Sequence, residues 1–267
     1  MTDQVASQTV RRLNSAKSIA TQTDSSQDVS MAGQQLEIRF PDKNRQRRGG
    51  ARPGAGRKPK NGVRAGQAHA SRPRLTAHQP VHVTMRVRRG GSLRKRHLYK
   101  ALHWAVAICL RRQDFRVVHV SIQHDHVHLI VEAKDRAELG KGIRGFAISA
   151  ARQINAARGT TGNVFPDRYH CEVITCPRQA RNTLSYVLNN WRKHREDRRP
   201  VARLWRIDPY SSGCNFDGWV EDATSPTLWS TPSTYDRMMV SRPRSWLLRA
   251  GWQVHGLISI RDVPSRV

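Results

Sequence analysis

The stretch from Val118 to Ala133 constrains the fold more than any other. Two β-branched runs, Val118–Ile122 and Val127–Val131, flank a short polar segment, which is the pattern of an antiparallel hairpin. Three histidines and an aspartate fall inside it, at His124, Asp125, His126 and His128. Side chains alternate faces along a strand. His126 and His128 therefore share one face, and Val127 anchors the other. Two imidazoles two residues apart can offer nitrogens to one divalent ion. The plainer alternative is a hairpin with histidines on its wet face.

The rest of the chain arranges itself around this hairpin. Val81-His82-Val83-Thr84-Met85-Arg86-Val87 alternates at period two and predicts a first strand. Ser92 offers an N-cap for a helix carrying Leu93, Leu98, Leu102, Ala105 and Ile108-Cys109 as far as Arg112. Phe115–Gln123 and His126–Ala133 are the second and third strands. Asp135, with Glu138 three residues on, has the form of a capping box. It opens a long helix to about Ala157, ended by Gly159. Tyr169–Thr175 predicts a fourth strand, and Pro177 opens a basic helix reaching about His194. The expected fold is α+β: a ferredoxin-like βαββαβ antiparallel sheet with helices on one face, followed by one further C-terminal helix.

Composition bounds the partners. The chain has 47 Lys and Arg against 20 Asp and Glu, a formal net charge of +27. Such an excess repels itself and calls for a polyanion. Residues 1–42 are Ser-, Thr- and Gln-rich without apolar period, and read as a disordered leader. From Lys43 to Gln113 there are 20 Lys and Arg and no acid. Within this run, residues 43–78 form a Gly- and Pro-punctuated arm bearing Arg45, Arg47, Arg48, Arg52, Arg57, Lys58 and Lys60. It is a candidate DNA-binding arm, either a minor-groove reader or a non-specific phosphate-binding tail, and the tail is favoured. Residues 79–195 form the expected globular domain, and 196–267 a Trp-containing extension with Trp205, Trp219, Trp229, Trp246, Trp252 and Tyr210. Those rings either stack on unpaired bases or pack on the core, and packing is favoured.

No run of about 18 apolar residues suggests a membrane span, and no signal peptide is evident. Cys109, Cys171, Cys176 and Cys214 follow no disulfide framework, so a reducing, cytoplasmic setting is expected. Cys171 and Cys176 sit at an odd offset, which favours ordinary packing over joint zinc binding.

The last predicted helix completes the site. Tyr186 and Asn190 lie four residues apart on one helical face, with Asn182 and His194 extending the stripe. His126-Val127-His128-Leu129 followed by Tyr186-x-x-x-Asn190 resembles the single-tyrosine HUH transposases. The nearest group is the transposase-like proteins associated with bacterial repetitive extragenic palindromes. The likeness covers residues 79–195. It implies a Mg²⁺ or Mn²⁺ held by His126, His128 and Asn190, with Tyr186 as nucleophile, and single-stranded or hairpin DNA as substrate. It also implies a 5′-phosphotyrosine intermediate, a homodimer and a nucleoid-associated bacterial protein. One departure stands out: relatives usually carry Asn before the first histidine, whereas this chain has Asp125. Its carboxylate either approaches the metal or closes the turn, and the turn is favoured. The alternative function is a catalytically silent, domesticated DNA- or RNA-binding protein on the same fold.

Overall fold

The computed structural model describes residues 74–87, 90–221 and 235–264. The proposed leader and the arm residues Arg45, Arg47, Arg48, Arg52, Arg57, Lys58 and Lys60 lie outside the described residues.

The element order is β1 (Val81–Arg86), α1 (Arg96–Cys109), β2 (Phe115–Ile122), β3 (His126–Ala133), α2 (Arg136–Arg158), β4 (His170–Val173) and α3 (Pro177–Leu188), then the one-turn α4 (Asn190–Lys193). Three-ten turns follow, with a final one-turn helix, α5 (Trp246–Arg249). The four strands form one antiparallel sheet in the order β2-β3-β1-β4. The histidine-bearing β3 is thus a central strand, flanked by β2 and β1.

Alternation divides the sheet into two faces. Val81, Val83 and Met85, Phe115, Val117, Val120 and Ile122, and Val127, Leu129 and Val131 point to one side. There they share a core with Leu98, Leu102, Ala105 and Val106 of α1 and Leu139, Ile143, Phe146, Ala150 and Ile154 of α2. The other face presents Ile130 and Val118 to a second core. It is made by Ala180, Leu184, Val187 and Leu188 of α3 together with Trp219, Leu247, Leu248, Trp252 and Ile258. α3 therefore covers the face of the sheet opposite α1 and α2.

A bulge explains why Val117 and Val120, three residues apart, both face the first core. Val117 pairs with Val131, but His119 pairs with Ile130, leaving Val118 as an extra residue. Past the bulge, Ser121 lies opposite His128 and Ile122 opposite Val127.

Capping chemistry sets the ends of α2. The Asp135 carboxylate accepts the Glu138 backbone N–H at 2.9 Å. Gly159 closes the helix at φ 63°, a left-handed conformation that glycine adopts without steric cost. The reciprocal half of a capping box is replaced by a Glu138–Lys141 bond of 2.7 Å. α1 begins later than Ser92 predicts. The Ser92 hydroxyl accepts the Arg94 N–H, Leu93 N–H donates to the His124 carbonyl, and the Arg94 side chain is committed elsewhere. Residues 92–95 are thereby pinned as a turn against the hairpin tip.

The basic helix read as continuous to His194 is in fact interrupted. α3 stops at Leu188, and Asn189 takes φ −102°, ψ 11°. The Asn189 carboxamide N–H donates to the Ser259 carbonyl at 3.0 Å, so a tertiary contact holds the break.

The described residues from 196 onward share cores with those before them. Ile122 N–H donates to the Tyr210 carbonyl and Ser212 N–H to the Val120 carbonyl, so this segment runs along the free edge of β2. Buried Asp208 receives both terminal nitrogens of buried Arg94, at 2.9 and 2.7 Å. Buried Glu132, at the end of β3, accepts the Ser245 N–H at 2.8 Å and the Arg244 N–H at 2.9 Å just before α5. Trp219 and Trp252 are buried, while Trp246 is exposed.

Candidate active site

The site lies on the α3 face of the sheet. β3 contributes His126 and His128, and β1 brings Thr84 opposite His128 and Arg86 opposite His126. The rings of His126 and His128 are 4.7 Å apart and perpendicular. α3 delivers Tyr186, whose ring meets His128 edge-on at 5.3 Å and His82 at 5.8 Å. The short α4 adds Lys193, its ammonium 4.5 Å over the Tyr186 ring. His194, just beyond, stands 5.2 Å from His126.

Hydrogen bonds distinguish the ring nitrogens. His126 Nδ1 lies 2.7 Å from an Asp125 carboxylate oxygen. His128 Nδ1 lies 3.1 Å from both His82 Nε2 and the Thr84 hydroxyl. His128 Nε2 is buried and has no hydrogen-bond partner. Asn190 is fully buried, and its carboxamide nitrogen and oxygen both lack partners. Orphaned buried polar atoms of this kind require an explanation.

Burial, more than neighbouring charge, favours the neutral form of His82, His128 and His194. Burial, with the nearby charge of His170, lowers His82 to about 4. His128 is driven well below its ordinary value by burial and then by His82, His126, His194 and Lys193. His194 is lowered by burial, His126 and Lys193, against the opposing pull of Asp125 and Glu196. For Asp125, burial alone would raise the carboxyl; the His126 hydrogen bond, with the charges of His126 and Arg86, outweighs it and holds the group low. Neutral imidazole is the form that ligates metals.

These donors fit a divalent ion. Among the described residues, no group of three or more His, Cys, Asp or Glu side chains is placed to hold one. An ion held by His126 and His128 would need a further donor outside those residue types, such as a carboxamide oxygen. His128 Nε2 is unpartnered and is an atom such an ion would satisfy; the Asn190 carboxamide is orphaned too, on the short α4 beyond the Asn189 break. A mixed nitrogen and oxygen set suits Mn²⁺ better than Mg²⁺, which prefers an all-oxygen shell.

The other tyrosines considered lie elsewhere. Tyr210 is buried in the first core, under the Arg94 guanidinium and bonded to the Tyr235 hydroxyl. Burial and that bond raise its phenol well above the ordinary range. Tyr169 packs against the same core. Asn182 is exposed. Cys171 is partly buried against the first core and Cys176 is exposed at the start of α3; neither forms a disulfide.

Sequence spacing missed His82, Thr84 and Lys193. The signal for the first two was available: the alternation of β1 puts His82 and Thr84 on the face away from Val81 and Val83. Recognising that face as the histidine face required knowing that β1 pairs with β3.

Residues 76–190 match the family model described as transposase IS200 like. That span contains His126-Val127-His128 and Tyr186-x-x-x-Asn190, the residues that carry the resemblance. No curated protein matches. Among solved structures, the chain is similar to one described as "Structure of the REP associates tyrosine transposase bound to a REP hairpin", at 18% identity and a TM-score of 0.45. That likeness covers 65% of this chain and 99% of the other. No helix among the described residues is long and apolar enough to cross a membrane.

Proposed function

We propose that this chain is a single-tyrosine DNA strand transferase working on single-stranded DNA beside a hairpin, with the ferredoxin-like βαββαβ sheet as its scaffold. The observation that carries this reading is the edge-on contact of Tyr186 with His128, whose Nε2 is buried and unsatisfied. A nucleophile and an open donor thus share one small space.

The Tyr186 hydroxyl attacks the scissile phosphorus, and its proton passes to solvent. The P–O3′ bond breaks, and the departing 3′ oxygen takes up a proton. The products are a 5′-phosphotyrosine and a free 3′-OH. The phosphodiester energy is retained in the covalent link, so rejoining needs no nucleotide cofactor. Lys193, over the Tyr186 ring, places positive charge beside it that attracts the incoming phosphate. His126, His128 and Asn190 would hold the Mg²⁺ or Mn²⁺, which when bound supplies Lewis acidity and orients the phosphate. The basic segment 43–78 supplies non-specific affinity for the backbone. The protein works as a homodimer in the bacterial cytoplasm, at the nucleoid.

Incubation with hairpin single-stranded DNA and Mn²⁺ should give a protein–DNA adduct that survives denaturation. Tyr186→Phe should abolish the adduct while hairpin binding persists. His126→Ala and His128→Ala should lose cleavage but retain binding, because phosphate contacts elsewhere position the substrate. Mapping of the adduct to Tyr169 or Tyr210, or an undiminished adduct in Tyr186→Phe, would overturn the assignment. Hairpin binding with no adduct under any condition would instead identify a silent DNA-binding relative.

A further inference from the structure

Asp125 stands where two outcomes were open, a turn residue or a metal ligand, and its geometry fits neither alone. Its backbone does close the hairpin: Gln123 N–H donates to the His126 carbonyl at 2.8 Å across the turn. The turn itself is clamped from outside. Val87 N–H donates to the Asp125 carbonyl and Leu93 N–H to the His124 carbonyl, each at 2.8 Å. The Asp125 side chain is thereby launched from a fixed backbone. One carboxylate oxygen meets His126 Nδ1 at 2.7 Å, and the other lies 3.5 Å from the Arg86 guanidinium on β1. Both oxygens are thus directed at protein groups.

A carboxylate has only acceptors to offer. The bond to His126 therefore requires a proton on Nδ1, and a neutral ring then carries its lone pair on Nε2. His128 differs: its Nδ1 faces His82 Nε2 and the Thr84 hydroxyl, each of which can donate or accept, and its Nε2 is the unpartnered atom.

We propose that Asp125 is a positioning residue that fixes the orientation of His126 and holds it in the Nδ1–H tautomer, with Nε2 free to bind an ion. This rests on the reading of His126 as a ligand given above. The carboxylate also makes the His126 ring a stronger donor, whereas the neutral His82 and Thr84 leave His128 a weaker one. The two ligands of the pair are thus unequal by construction.

The test uses the full chain without metal, at about pH 8, where a free imidazole is neutral. Long-range ¹H–¹⁵N correlation spectra report which ring nitrogen carries the proton. In the parent protein His126 should show a protonated Nδ1 and a bare Nε2. Asp125→Leu should shift His126 toward the Nε2–H form and leave His128 unchanged. Asp125→Asn keeps an acceptor oxygen and should restore most of the parent pattern. Mn²⁺ titration followed by electron paramagnetic resonance should show affinity falling by about 10–100-fold in Asp125→Leu and much less in Asp125→Asn. A protonated Nε2 on His126 in the parent protein, or an unchanged tautomer in Asp125→Leu, would overturn the proposal. A parent protein that takes up no Mn²⁺ overturns the ligand reading of His126 instead, and the tautomer spectra then decide the positioning role alone.

Discussion

His119 shows what a buried imidazole does to the pH range of the fold. Its ring is enclosed beside Phe216, with Nδ1 3.1 Å from the Ser212 hydroxyl, and burial lowers its pKa to about 4. Above the unfolded value near 6.5 both states are neutral, and His119 contributes nothing to pH dependence. Between about 6.5 and 4 the unfolded chain binds a proton that the folded chain refuses, so stability falls with falling pH. Below about 4 both states are protonated and the loss is complete, at roughly 3 kcal/mol for this residue. In His119→Gln the steepest slope of unfolding free energy against pH should drop by about 1.4 kcal/mol per pH unit, the worth of one proton. Urea titrations across that range measure it, and an unaltered slope would contradict the assignment. At this scale much of the site was legible. Strand parity put His126 and His128 together, whereas the helical spacing that set Tyr186 and Asn190 one turn apart ran through the break at Asn189. Neither the Asp125–His126 bond nor the His82–His128 contact could be read, because both depend on how a turn is clamped and which strands are neighbours.

Among the elements, α2 was the most legible, because its ends carry their own chemistry in Asp135 and Gly159. The end of α3 was not. Leu188-Asn189-Asn190 contains no Gly or Pro, and the break is held by Ser259, 70 residues away. α2 also carries a packing constraint in its interior. A Cβ on Gly142 would fall 2.2 Å from the Phe115 ring, which is itself buried. Alanine there would gain about 0.5–1 kcal/mol in helix propensity, but overpacking costs about 1–3 kcal/mol. Because the obstacle is a rigid ring in a closed core, the clash wins. Gly142→Ala should destabilise the protein by roughly 1–2 kcal/mol net. Adding Phe115→Leu should recover part of the loss, and chemical denaturation of the three variants checks both statements.

For the molecule as a whole, the sequence suggested a domain with an appended tail, since the tail has no sustained period of its own. The structure shows why it needs none: its Trp219, Trp252, Leu247 and Ile258 complete the core begun by α3, and Tyr210 enters the core under α1. The Arg94–Asp208 pair joins the two stretches of chain, its partners 4% and 0% exposed. Removing one member of such a pair leaves the other charge buried, at a cost of about 3–5 kcal/mol where nothing else compensates it; for Arg94, Glu196 at 3.8 Å offsets part of that cost. Asp208→Asn should therefore destabilise by somewhat less than that amount, while the double variant Arg94→Met with Asp208→Leu should lose less than either single change implies. A double-mutant cycle by urea denaturation reads the difference.

The shared second core also sets an order in time. Tyr186 rides on α3, and the apolar side of α3 is closed by residues up to Ile260. A chain still being synthesised on the ribosome has made its histidine strand and its tyrosine long before it has made the residues that seat the tyrosine helix. Tyr186 therefore meets His128 and His82 only once the residues up to Ile260 have been translated, and a product terminated before them carries all three without the packing that seats α3.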